Sequence, residues 1–106
     1  MARVVALVPD LLFGSKVQSM LVQAGHEVTL TGAPPSAADL EGVDLLVVDL
    51  TAADPDLERG AAKTLGFYAH VEPEVKARAD AAGFDLVVPR SRMAREGAAL
   101  VKQLAG

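Results

Sequence analysis

Four apolar residues in a row, Leu45-Leu46-Val47-Val48, run directly into an aspartate, Asp49. The amino-terminal segment repeats the arrangement, with Val4 to Val8 leading into Pro9-Asp10. A run that is apolar at every position, rather than at every second one, suits a strand buried on both faces, as in parallel sheets covered by helices. Strand-like runs at 3–8, 27–31, 44–50, 64–69 and 85–89 alternate with helical patterns, which predicts repeated β-α units around a parallel sheet. Open sheets of this kind place their chemistry outside the carboxyl ends of the strands, and Asp10 and Asp49 both fall there.

The helical segments follow from spacing and from their stops. Phe13, Val17, Met20, Leu21 and Ala24 share one face of a helix over 12–24, and Gly25 supplies its stop. A second helix over 72–82 has Pro73 in its first turn, Gly83 beyond its end, and Val75, Ala79 and Ala82 toward the sheet. The third, over 93–104, turns Met93, Gly97, Leu100, Val101 and Leu104 inward, with Ser91 as its expected N-cap. The connections 32–42 and 52–62 are weakly patterned and near the minimum length for a crossover, and each is expected to hold one or two helical turns.

A chain of 106 residues suits a single domain spanning 1–106, and 51% hydrophobic against 23% charged residues is the balance of a chain with a core. A net charge of −4 and the lack of a basic stripe speak against a nucleic-acid partner. No segment is long and apolar enough for a membrane span, and no signal-peptide pattern opens the chain, so a cytoplasmic location is expected. Without cysteine, and with only two histidines far apart in sequence, thiol catalysis and a zinc site are both disfavoured.

The five-fold β-α order resembles the receiver domain of response regulators along the whole chain, which implies a flavodoxin-like three-layer α/β/α fold, sheet order 2-1-3-4-5, here with the middle helices shortened. The resemblance implies that Asp49 stands at the phosphoacceptor position. It also implies Asp10, with Asp49, as weak magnesium ligands, Tyr68 where a small hydroxyl residue usually ends the fourth strand, and Arg90 in place of the lysine ending the fifth. Each departure weakens phosphotransfer. Pro9 removes one of two adjacent acids from a metal that demands octahedral oxygen ligation. A planar arginine fork does not substitute for a compact ammonium. A stretch Pro9-Asp10-Leu11-Leu12-Phe13-Gly14-Ser15-Lys16, with His70-Val71 and Arg90-Ser91 after strands four and five, also resembles small receiver-like proteins of unassigned function.

The polar residues expected at this edge are Asp10, Ser15, Lys16, Asp49, His70, Arg90 and Ser91. Asp49 also reads as a simple loop cap, Asp10 as the N-cap of the first helix, Lys16 as a solvated side chain and His70 as a structural group. Gly14-Ser15-Lys16 lacks the spacing of a P-loop. The favoured reading is a stand-alone, atypical receiver-like signalling module without enzymatic activity, its Asp49 read as degenerate in preference to phosphorylated. It would act through a protein partner, a histidine kinase or output protein, or through self-association, on the face of strand four, the 72–82 helix and strand five that receivers generally use. The alternative is a binder of a small phosphate- or carboxylate-bearing ligand clamped by Ser15, Lys16, His70, Arg90 and Ser91. An acid/base enzyme built on His70 with Asp10 or Asp49 ranks last.

Overall fold

The computed structural model describes residues 1–69 and 73–105. In chain order the elements are β1 (Arg3–Leu7), α1 (Leu11–Gln23), β2 (Glu27–Thr31), β3 (Leu45–Asp49), β4 (Lys63–Tyr68), α2 (Pro73–Ala81), β5 (Leu86–Pro89) and α3 (Arg90–Ala105). The five strands form one sheet in the order β2-β1-β3-β4-β5, every pairing parallel. This is the expected flavodoxin-like arrangement. Its register aligns Leu7 with Val48, Asp49 with Phe67 and Tyr68 with Pro89, so the carboxyl ends of the strands form a common edge.

The pleat sends alternate side chains of each strand to two separate cores. On one face, Val4, Ala6, Leu45, Val47, Leu65 and Phe67 pack under α1 and α3, which contribute Phe13, Val17, Leu21, Met93, Leu100 and Val101. On the other, Val5, Leu7, Leu46, Val48 and Tyr68 meet Ala79 of α2, Phe84 and Leu40. Because β3 feeds both faces, all five of its residues are buried, as its unbroken apolar run requires. Gly66 leaves a gap on the second face, which Leu50 and Phe84 fill.

The amino ends of the strands are tied by acids. Asp44 Oδ2 accepts the Arg3 N–H at 2.8 Å, and Asp85 Oδ2 accepts the Thr64 N–H at 2.8 Å and its hydroxyl at 3.2 Å. The Asp85 bonds satisfy polar groups of Thr64 that would otherwise be buried unpaired, Thr64 being 1% exposed. Gly25 and Gly83 end α1 and α2 with φ of 94° and 89°, values that a side chain would strain.

Two expectations change. The connections 32–44 and 50–62 contain only turns and bends, so neither builds the one or two helical turns expected of it. In the first, Ser36 and Asp39 bond each other's amides at 2.9 and 3.2 Å, a capping-box pattern that starts one turn. Gly42, at φ 76°, follows at once. Ser91 does not cap α3: the helix begins directly at Arg90, and Ser91 already lies inside its first turn. Along α1, Phe13, Val17 and Leu21 are buried as expected, while Met20 is half-buried and Ala24 exposed.

Candidate functional site

Asp10 is drawn in two directions at once. Its Oδ1 accepts the N–H groups of Leu12 at 3.0 Å and Phe13 at 3.2 Å, which makes it the N-cap of α1. Its Oδ2 lies 2.9 Å from the Arg90 guanidinium, contributed by the first residue of α3. The contact arises because β5 passes into α3 without a loop, which sets Arg90 at the sheet edge beside the start of α1. Arg90 also lies over the Phe13 ring, 4.1 Å from its centroid, and Phe13 in turn meets Phe67 at 5.1 Å with the rings tilted by 56°. The Arg90 hydrogen bond, followed by the Phe13 amide, holds the Asp10 carboxyl below the usual aspartate value.

Asp49 is 5% exposed, and its Oδ1 accepts the Thr51 N–H at 3.0 Å. Its carbonyl oxygen receives the amides of Ala52 and Ala53, closing the chain into a tight turn. The Thr51 hydroxyl then accepts the Ala69 N–H at 3.0 Å, so a single residue joins the Asp49 turn to the end of β4. Thr51 escaped the sequence reading. The signal available for it was the Asp-x-Thr order after a strand, which favours a side-chain-to-backbone turn two residues on.

Tyr68, at the position where a small hydroxyl was expected, packs into the second core at 9% exposure, so its ring is spent on packing. Ser15 and Lys16 are exposed on the second turn of α1. The Gly14 amide donates to the Asp10 carbonyl at 2.7 Å, inside the helix ladder, and so is not free to meet an anion. Ser91 is exposed, and its carbonyl accepts a 3.4 Å bond from Arg95. His70 lies outside the described residues. The fold therefore brings Asp10 and Arg90 into contact and places Asp49 on the same edge, while Ser15, Lys16 and Ser91 form no polar contact with them among the described residues.

The donors present fit magnesium poorly. Both oxygens of Asp10 are engaged, one by amides and one by a fixed cation that repels a divalent ion, and Pro9 offers no carboxylate. Among the described residues no group of three or more acids and histidines could hold a metal ion. None of the described helices is long and apolar enough to cross a membrane.

No protein-family model matches the sequence, and no curated protein matches it. Solved structures do match the fold. A protein of Burkholderia pseudomallei described as pilus assembly-related superposes with a TM-score of 0.78 at 19% identity, over 99% of this chain and 90% of that one. A response regulator from Thermotoga maritima gives 0.76 at 14% identity, over 99% and 98%. An orphan response regulator of H. pylori gives 0.77 at 15% identity, over 99% and 97%. At these identities the similarity establishes a receiver-like fold.

Proposed function

We propose that this chain is a receiver-like signalling and interaction module in which Arg90 has taken the place of a metal ion at Asp10, leaving Asp49 without the cation that phosphoryl transfer needs. The 2.9 Å Arg90–Asp10 pair carries the reading. Phosphoryl transfer to a carboxylate gathers negative charge, and catalysis consists largely of positioning and neutralising it with metal and lysine. Here one carboxylate of the expected metal pair is proline, and the other is already neutralised. Asp49 is left to cap its own turn through Thr51. Such a module exerts its effect through a protein that binds it rather than through chemistry of its own. The alternative, a clamp for a small anionic ligand, is less well supported, because Arg90 is held by a carboxylate of the same chain.

The test is incubation with magnesium and a small phosphodonor, followed by intact-mass analysis beside a receiver known to be labelled. The expected result is no adduct on the wild-type protein. An acid-labile phosphate that disappears in Asp49→Asn would overturn the proposal.

A further inference from the structure

The carboxyl edge of the sheet carries two surfaces of opposite character on either side of Pro9. On the α1 side, Leu11 and Leu12 are 76% and 87% exposed, the most exposed large apolar side chains apart from Met1 among the described residues. Both stand on the first turn of α1, with exposed Lys16 four positions beyond Leu12 on the same helix face. Among the described residues Lys16 has no ion-pair partner. A helix start turned to water selects polar residues, so two leucines there are unexplained by the fold of one copy.

On the other side lies a cleft of about 430 Å³ between the two helix-free crossovers. Its lining combines the apolar Leu7, Pro9, Pro34 and Leu57 with the acidic Asp54, Asp56 and Glu58. The cleft exists because neither crossover builds a helix over this end of the sheet. The acidic character is built into the chain, which has no lysine or arginine between Lys16 and Arg59. Arg78 pairs with Asp54, but Asp56 has no ion-pair partner among the described residues.

We infer that this edge is a self-complementary surface that pairs two copies of the chain about a two-fold axis near Pro9, each inserting Leu11 and Leu12 into the other's cleft and setting Lys16 against the other's Asp56. An isologous contact needs one patch to carry both halves of each interaction, and this edge does, apolar projection with apolar cleft and a cation with a carboxylate, neither of them ion-paired among the described residues. Covering the edge would also remove Asp10, whose side chain is 44% exposed, from solvent. The inference stands independently of whether Asp49 accepts phosphate.

Sedimentation velocity from micromolar to millimolar concentration is the measurement. The wild type is expected to shift from monomer to dimer, and Leu11→Ser with Leu12→Ser to weaken dimerisation by at least about tenfold in Kd. Lys16→Glu and Asp56→Lys should each abolish self-pairing, since each sets like charges across the axis. Mixing these two variants in equal amounts should recover a dimer, because both contacts then join opposite charges, and this recovery also shows that both variants are folded. A wild type that stays monomeric overturns the inference, whatever other protein the leucines capture. So does a dimer that neither the leucine nor the charge substitutions weaken, or a mixture of the two charge variants that stays monomeric.

Discussion

Replacing Phe13 with leucine tests whether the Arg90–Phe13–Phe67 stack joins the site to the core. Phe13 is 8% exposed, so leucine retains most of the apolar burial while removing the ring. Two interactions go with it. The tilted pair with Phe67 at 5.1 Å belongs to a class worth about 0.5–1.5 kcal/mol beyond burial. The Arg90 guanidinium at 4.1 Å adds about 0.5–1 kcal/mol, the lower end of the cation–π range, because its side chain is still 35% exposed. The expected cost is therefore about 1–2.5 kcal/mol, read from the shift of the urea midpoint at unchanged slope. Arg90→Gln separates the two contributions. It breaks the Asp10 pair in either background, but breaks the stack only when Phe13 is present, so it should cost less in Phe13→Leu than in the wild type by about 0.5 kcal/mol or more. A Phe13→Leu cost below about 0.5 kcal/mol, or strict additivity with Arg90→Gln, would refute the stack as a link between site and core.

Two further outcomes are expected. Because the folded Asp10 value lies below the ordinary 3.8, the pair's contribution to stability is complete above that value and is lost as pH falls toward the depressed one. Acid titration of unfolding should accordingly fall less steeply below pH 3.8 in Asp10→Asn than in the wild type, and identical curves would remove the pair as a contributor. Gly66→Ala sets a methyl 2.6 Å from Leu50 Cδ1 and 3.0 Å from Phe84, so overpacking should cost about 1–3 kcal/mol. Gly66→Ala should cost less in a Leu50→Ala background than in the wild type, which denaturant unfolding of the single and double variants would show.

What could be read from the order of residues was what repeats locally. Apolar runs at every position gave β1 and β3 as doubly buried strands, and the glycines at 25 and 83 gave the helix stops, because strand burial and left-handed turns are written in adjacent residues. The Asp10 cap was also legible, since a cap needs only the residue before a helix. The crossovers were not, because a dozen weakly patterned residues satisfy a turn or a short helix equally well. Nor was Ser91 recognisable as helix interior: only the direct passage from β5 into α3 decides where that helix starts. Asp10 and Arg90 stand 80 positions apart, and nothing in the sequence requires them to touch. The sequence by itself determined that Asp10, Asp49 and Arg90 would stand at or just beyond the carboxyl ends of strands in one parallel sheet. The tertiary structure alone decided that Arg90 spends its charge on Asp10, because their contact depends on where two helices meet at the sheet edge.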